Sequence, residues 1–134
     1  MNNTFPRVGM ELTHLFAVSD MDKSRAFSKD VLGATLYQEY GGTSCVLQIL
    51  GNWLFLVIGG IAAGDKPDVV FAPPESPNTV SHEFTIRVPD CHGAYEVLRS
   101  RGAKFLTPPY NWGPEIRCFF RDPDGNLLEI SQLV

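Results

Sequence analysis

Two histidines and one glutamate in this sequence have the side chains needed to hold a divalent metal ion. His14 and His82 each lie in a strand-like run that opens one half of the chain, and Glu129 interrupts the last apolar run. An acid that faces the interior of a sheet needs a cation nearby. Two imidazoles and one carboxylate bind a divalent ion and leave coordination positions open, so a bound oxygen can be polarised. The pattern predicts His14, His82 and Glu129 as metal ligands, with Glu129 as the candidate catalytic residue.

The elements that would position these side chains occur twice, in the order β-α-β-β-β. In the first half, the apolar patterns predict strands at 11–18, 34–40, 44–50 and 53–58 and a helix at 21–32. In the second half, they predict strands at 81–88, 103–106, 115–121 and 126–132 and a helix that ends at 101. The halves align at a nearly constant offset, which pairs His14 with His82, Asp20 with Asp90, Gly33 with Gly102 and Phe55 with Glu129.

The repeat predicts one domain, 1–134, built from two modules. Module one covers 11–58 and module two covers 80–134. The segment between them, 59–79, is rich in glycine and proline and is predicted to be a linker. Neither module could bury both faces of its own sheet, so the two should pack together.

Composition favours a small-molecule ligand. The net charge of -4 and the pI near 5.2 disfavour nucleic acid and anionic membranes as partners. The N-terminal stretch 1–10 lacks a signal-peptide pattern, and no apolar run is long enough for a membrane helix, so we expect a cytoplasmic protein. The three cysteines are widely spaced and are expected to be free and buried: Cys45, Cys91 and Cys118.

Several motifs resemble the vicinal oxygen chelate superfamily, which includes glyoxalase I, extradiol dioxygenases, fosfomycin-resistance thiol transferases, methylmalonyl-CoA epimerase and bleomycin-resistance proteins. The resemblance lies in residues 13–20 (THLFAVSD), 31–33 (VLG), 81–84 (SHEF) and 120–129 (FRDPDGNLLE). It implies an α+β fold of two paired βαβββ modules that form a half-open curved sheet. It also implies His14, His82 and Glu129 as the ligands of a divalent metal: Fe²⁺, Mn²⁺, Zn²⁺ or Ni²⁺.

The sequence departs from some branches of this superfamily. In glyoxalase I a fourth ligand lies on the closing strand of the first module, where the internal alignment places Phe55. Phe55 cannot bind a metal, which disfavours a glyoxalase I or an epimerase and favours the three-ligand thiol transferases and dioxygenases. Neither branch fits fully, because Phe119-Phe120 stands where a metal-facing tyrosine is common and the sequence offers no further histidine for the acid–base role of a dioxygenase.

Strand alternation adds candidates for a substrate pocket, because every second side chain of a strand shares a face. By this alternation Trp53 shares a face with Phe55, and Phe84 shares a face with His82. Arg117 shares a face with Phe119 and could contact an anionic substrate, although an exposed position on the other face is equally compatible. The pocket candidates are therefore Trp53, Phe55, Phe84, Arg117 and Phe119.

Two functions remain open. The first is a metal-dependent lyase, dioxygenase or thiol transferase that chelates a small oxygenated substrate at His14, His82 and Glu129. The second is a non-catalytic drug- or metabolite-binding protein of the bleomycin-resistance kind, with an apolar cleft. The resemblance also implies a homodimer with sites at the subunit interface, where His14 of one protomer would complete a site with His82 and Glu129 of its partner.

Overall fold

A computed structural model describes residues 4–60 and 62–134 of the chain. Residues 1–3, part of the stretch searched for a signal peptide, and residue 61 of the predicted linker lie outside the described residues.

The first module begins with a strand and a capped helix. Strand β1 spans Thr13–Val18 and helix α1 spans Met21–Ala26. The Asp20 side chain accepts a hydrogen bond from the backbone N–H of Lys23 at 3.2 Å, which satisfies an N-terminal donor of α1. The helix continues as a π-helical segment over Phe27–Val31. Three strands follow: β2 Thr35–Tyr40, β3 Ser44–Ile49 and β4 Asn52–Ile58.

The second module repeats this order with one addition. Strand β5 spans Phe84–Arg87, and Asp90 caps the following helix through the Gly93 backbone N–H at 3.1 Å. The helix and the remaining strands are α2 Cys91–Ser100, β6 Lys104–Phe105, β7 Tyr110–Asn111, β8 Glu115–Arg121 and β9 Leu127–Leu133.

The α+β class and the repeated module order are confirmed, and two of the differences from the prediction bear on the site. The segment between the strands predicted at 103–106 and 115–121 contains the short strand β7, which pairs with β8. The strand predicted at 81–88 is shorter, because pairing with β9 begins only at Phe84. His82 therefore precedes the strand rather than lying within it.

The strands form two sheets, one for each module. The first sheet has the order β1-β4-β3-β2, and the second has the order β5-β9-β8-β6, with β7 beside β8. In each sheet the opening strand pairs in parallel with the closing strand, whereas the other pairs are antiparallel.

One face of each sheet packs against the helices and forms the core. Leu54 and Leu56 of β4 are almost fully buried, as are Leu128 and Ile130 of β9. Phe84 packs against both core clusters. We call the opposite side of each sheet its open face. The open face of the first sheet carries Thr13, Leu15, Val46, Trp53, Phe55 and Val57, and that of the second carries Glu83, Thr85, Arg87, Glu115, Arg117, Phe119, Glu129 and Ser131.

The Asp122-Pro123-Asp124-Gly125 turn joins β8 to β9 and also ties the modules together. Asp122 accepts hydrogen bonds from the backbone N–H groups of Asp124 and Asn126, and Gly125 takes a φ of 89°, which glycine adopts without strain. Burial raises the pKa of the Asp122 carboxyl, while its hydrogen bonds with Asn126 oppose that rise. The Asp124 carboxylate accepts from the backbone N–H and hydroxyl of Ser19, at the start of α1. This turn therefore organises the final hairpin and holds it against the first module.

None of the helices within residues 4–60 and 62–134 combines the length and the hydropathy of a membrane-spanning segment. Cys45, Cys91 and Cys118 are free and buried, as predicted. Burial raises the pKa of the Cys118 thiol to about 12.

Candidate functional site

Glu129 lies in the middle of the second sheet and has its partners within the same chain. Its neighbours across the ladder are Thr85 on β5 and Phe119 on β8. The residue is only 7% exposed, and its carboxylate accepts a hydrogen bond from the Thr85 hydroxyl. Arg117 approaches from β8, with 3.9 Å between its Nε and Glu129 Oε2. A cation and a hydroxyl therefore face the acid that the sequence singled out.

A second carboxylate shares the same hydroxyl. Glu83 Oε1 lies 3.1 Å from the Thr85 hydroxyl oxygen. That hydroxyl has one proton to donate, and it faces both Glu83 and Glu129. Burial raises the pKa of the Glu83 carboxyl, and the charge of Glu129 adds to this effect, while the Thr85 hydrogen bond opposes it. Glu83 thus gains a proton more readily than an ordinary glutamate.

The charged pattern continues along the open face of the second sheet. Ser131 donates its hydroxyl proton to Glu115, and Arg87 Nη1 donates to the Ser131 hydroxyl at 3.1 Å. Glu115 also pairs with Arg87 at 3.6 Å and with Arg117 at 3.4 Å. The two arginines pair with Glu115 and Glu129, while Glu83 contacts only the Thr85 hydroxyl among the described residues, so this face compensates most but not all of its negative charge.

Aromatic rings border Arg117. Its guanidinium carbon lies 5.4 Å from the centre of the Trp112 ring and 5.5 Å from that of Phe119, within the range of cation–π attraction. Arg117 and Phe119, both predicted as pocket residues, therefore lie together on this open face. The side chain of Arg117 remains 37% exposed and so can reach a ligand.

The open face of the first sheet is apolar and aromatic. Trp53 and Phe55 lie on it, and Tyr37 contacts the Trp53 ring edge-on at 5.0 Å between centres. The Trp53 indole N–H donates to Glu11 at 2.6 Å, which fixes the ring at the rim. A shallow cavity of about 320 Å³ opens here, lined by Glu11, Thr13, Tyr37, Tyr40, Val46, Trp53 and Phe55. Both predicted pocket residues of this module line it.

His14 and His82 lie together at the seam between the modules. Their Nε2 atoms are 3.2 Å apart, and their rings stack with 4.7 Å between centres. His14 also stacks on Phe84 at 5.2 Å and meets the edge of Phe16. Burial lowers the pKa of His14, and the neighbouring His82 lowers it further.

The structure brings the two predicted histidine ligands together but does not bring Glu129 to them. The parallel register of β5 and β9 pairs Phe84 with Leu128 and Thr85 with Glu129. Phe84 and Leu128 pack in the core. The His14 ring, which stacks on Phe84, therefore lies on the helix side of the sheet, whereas Glu129 points to the open face. Within the described part of the chain, no group of three His, Cys, Asp or Glu side chains is placed to hold a metal ion.

The described residues therefore do not fit a metal bound by His14, His82 and Glu129. Phe84, the fifth predicted pocket residue, is separated from Arg117 and Phe119 for the same reason: it lies on the core side of the sheet. Phe84 instead lines a groove at the seam, beside His14 and Trp53. His92 is exposed on α2.

Sequence reasoning missed Glu83, Thr85 and Glu115. A signal for Glu83 was present, because the offset of 70 residues set by Asp20 and Asp90 pairs it with Thr13 and pairs His14 with Phe84. That alignment places Glu83 on the face of Thr85 and moves His82 off it. One offset pairs His14 with His82, and the other pairs Asp20 with Asp90. The register of β5 against β9 decides between them.

Comparisons with known proteins agree with this fold. The model of the Glyoxalase/Bleomycin resistance protein/Dioxygenase superfamily matches residues 11–130. The chain belongs to this superfamily, whose members typically use divalent metals. A search of curated proteins gave no match.

Solved structures with the same fold come from several bacteria. One is a glyoxalase/bleomycin resistance protein/dioxygenase from Nocardioides, with 20% identity, 96% of this chain and 87% of that chain covered, and a TM-score of 0.73. A lactoylglutathione lyase from Agrobacterium tumefaciens has 18% identity, 95% of each chain covered and a TM-score of 0.71. The fosfomycin resistance protein FosX from Listeria monocytogenes has 16% identity, 96% of each chain covered and a TM-score of 0.70. At these identities the likeness concerns the fold alone.

Proposed function

We propose that this protein binds a small, partly aromatic molecule in a cleft formed by its open sheet faces, as a drug- or metabolite-binding member of the superfamily. The observation that carries the proposal is the aromatic surface around an open cavity, formed by the partly buried Trp53 and Phe55 and the exposed Tyr37. Rings in such a position lose water-exposed area when they stack on a ligand ring, and the gain scales with the apolar area removed from water.

The second open face supplies a complementary group. Arg117 is partly exposed between two aromatic rings, so its guanidinium can pair with an anionic substituent while Trp112 and Phe119 contact an apolar part. An aromatic anion suits the first face, and at the second face its anionic group would share Arg117 with Glu115 and Glu129.

The two faces meet in a homodimer under this proposal. A cleft closed on both sides needs an aromatic face opposite a charged one, and a second copy of the chain supplies the missing side. Each dimer would then contain two clefts, each built from the first sheet of one protomer and the second sheet of its partner.

Titration with anilinonaphthalene sulfonate, a fluorescent aromatic anion, tests the binding proposal in chelator-treated protein. Trp53→Ala and Phe55→Ala should each weaken binding by about tenfold or more, because each removes a large apolar contact. His82→Ala should bind like the wild type, and Val97→Ala, an exposed position on α2, serves as a matched control. Equal binding by wild type and Trp53→Ala would contradict the proposal.

Subunit mixing tests where the cleft lies. Trp53→Ala and Arg117→Ala proteins that each fail to bind the dye are mixed and allowed to exchange. If the cleft spans two protomers, random pairing restores about a quarter of the sites, because half of the dimers are mixed and each mixed dimer has one intact cleft. Mixed dimers that restore no dye binding would place the whole cleft within one chain.

A metal-dependent enzyme is the second candidate. The close approach of the His14 and His82 imidazoles favours it, but it requires Glu129 to leave the open face and to join them at Fe²⁺, Mn²⁺, Zn²⁺ or Ni²⁺. This candidate predicts that Glu129→Gln loses metal along with His82→Ala. Metal analysis after supplementation decides it, since retention of a full equivalent by Glu129→Gln rules out the three-ligand centre.

A further inference from the structure

We propose that the cavity on the open face of the first sheet selects a cationic group, a quaternary or other alkylated ammonium, in the molecule that it binds. The proposal rests on the proposed function, because it concerns the same cavity and names the class of its ligand. What it adds is a charge preference, which comes from aromatic rings and from one carboxylate at the rim, Glu11.

Four aromatic side chains line this cavity. Trp53 and Phe55 come from β4, and Tyr37 and Tyr40 come from β2 at the edge of the sheet. The planes of the Tyr37 and Trp53 rings meet at 74°, so the two rings form a corner. The face of an aromatic ring carries partial negative charge and attracts a cation. The lining therefore offers several ring surfaces to one ammonium group.

The Glu11 carboxylate adds a full negative charge beside these rings. Its Oε2 accepts the hydrogen bond of the Trp53 indole N–H at 2.6 Å. A carboxylate accepts about four hydrogen bonds, so this contact leaves most of its capacity free. Within residues 4–60 and 62–134, Glu11 has no ion-pair partner. The charge is therefore available to a ligand.

The cavity lining has no base to balance that charge. The described residues that form it are one acid and six neutral side chains: Glu11, Thr13, Tyr37, Tyr40, Val46, Trp53 and Phe55. An aromatic anion can place its ring here, but its charge is better placed at Arg117 on the second sheet. A cation gains from both the rings and the carboxylate.

An alkylated ammonium suits this surface better than a primary one. A primary ammonium has three N–H donors to satisfy, whereas a quaternary ammonium has none and presents alkyl groups to the rings. With the anionic group at Arg117, the ligand becomes an aromatic zwitterion whose two charges lie on opposite faces of the cleft. Anilinonaphthalene sulfonate lacks the ammonium, so its binding tests the cleft and not this preference.

Calorimetric titration of the full-length protein at low salt with phenyltrimethylammonium and with benzenesulfonate tests the preference. The two probes carry the same ring and opposite charges, and wild type should bind the cation at least about fivefold more tightly. Glu11→Gln keeps an acceptor for the Trp53 indole but removes the charge, so the ratio of the two affinities should fall by about threefold. Glu96→Gln, at an exposed acid on α2, is the matched control and should keep the wild-type ratio.

Variants at Tyr37 separate attraction to a ring from simple apolar contact. Tyr37→Phe keeps the ring and should bind phenyltrimethylammonium within about twofold of wild type. Tyr37→Leu stays apolar but has no ring face, so it should bind this cation about threefold more weakly than Tyr37→Phe. Equal binding of the cation by the two variants would contradict the role of the rings.

The outcomes distinguish this inference from the proposed function. Equal affinity of wild type for the two probes, or a ratio that Glu11→Gln leaves unchanged, would overturn the charge preference. If the dye binds at Trp53 but phenyltrimethylammonium does not bind, this inference fails and the proposed function stands. If neither the dye nor the cation binds, both fail.

Discussion

The two open faces arise from the same succession of elements, yet they carry opposite chemistry. On the closing strand of the first module, Phe55 has the apolar cross-strand neighbours Leu15 and Val46. At the matching position of the second module, Glu129 has Thr85 and Phe119 beside it and Arg117 nearby. One face leaves apolar rings partly exposed, and the other pairs Glu115 and Glu129 with its two arginines.

The difference shows that a buried acid in this fold does not by itself indicate a metal. Glu129 is compensated by a guanidinium and a hydroxyl from adjacent strands, which is how buried carboxylates are commonly tolerated. The exposed apolar surface lies instead on the aromatic face around Trp53, where contact with a ligand removes the most apolar area from water.

Removal of the cation beside Glu129 should have the largest effect on stability. Arg117→Met keeps the apolar stem but leaves a carboxylate that is 7% exposed without its ion pair, so we expect a loss of about 1 to 2 kcal/mol in the free energy of unfolding. Urea denaturation at fixed protein concentration measures it. Arg99→Met, which removes an exposed arginine paired with Glu96, should cost far less.

A double mutant shows whether the loss in Arg117→Met comes from the unpaired charge of Glu129. Glu129→Gln in the Arg117→Met background should recover most of the loss, because no buried charge then remains unpaired. Equal destabilisation by Arg117→Met and Arg99→Met would show that Arg117 does not compensate Glu129.

An acid introduced on the aromatic face should reduce both stability and dye binding. Phe55→Glu places a carboxylate at the position that matches Glu129, between Leu15 and Val46. We expect a loss of about 1 kcal/mol in stability and at least about a tenfold weaker affinity for anilinonaphthalene sulfonate. Phe55→Leu, which stays apolar, should retain most of the stability. A Phe55→Glu protein that binds the dye like wild type would contradict the role of this face.

Glu83 should produce the smallest effect, with a characteristic pH dependence. Its folded-state pKa is raised above the ordinary 4.5, so the folded protein holds the proton more tightly than the unfolded chain. The stability this contributes is present below pH 4.5 and is lost as the pH rises through the folded-state pKa. Glu83→Gln should therefore raise Tm by about 1–2 °C at pH 7 and have no stabilising effect near pH 4.

Glu96→Gln provides the control for that experiment, since Glu96 is exposed on α2. A gain from Glu83→Gln that grows towards low pH would show that the sign of the Glu83 shift is opposite.

Much of the fold could be predicted from local chemistry. Asp20 and Asp90 mark the helix starts, and the Asp122–Gly125 turn marks the final hairpin, because capping and turn preferences act over a few residues. Alternation also identified Trp53 and Phe55 as companions on one face. The short strand β7 was missed because two residues carry too little pattern.

The candidate site was less predictable because it depends on register between distant strands. Alternation states which residues of one strand share a face, but it does not state which face of β5 matches Glu129 on β9. A shift of one residue exchanges the two faces, and the structure pairs Thr85 rather than Phe84 with Glu129. The contact between Asp124 and Ser19, 105 residues apart, is equally invisible to local pattern.

A crystal structure of the protein grown with anilinonaphthalene sulfonate tests the binding proposal at the level of individual residues. We expect dye density on the open face of the first sheet, against Trp53 and Phe55. Dye density at the seam beside His14 and His82, with Trp53 and Phe55 still exposed to solvent, would overturn the proposal.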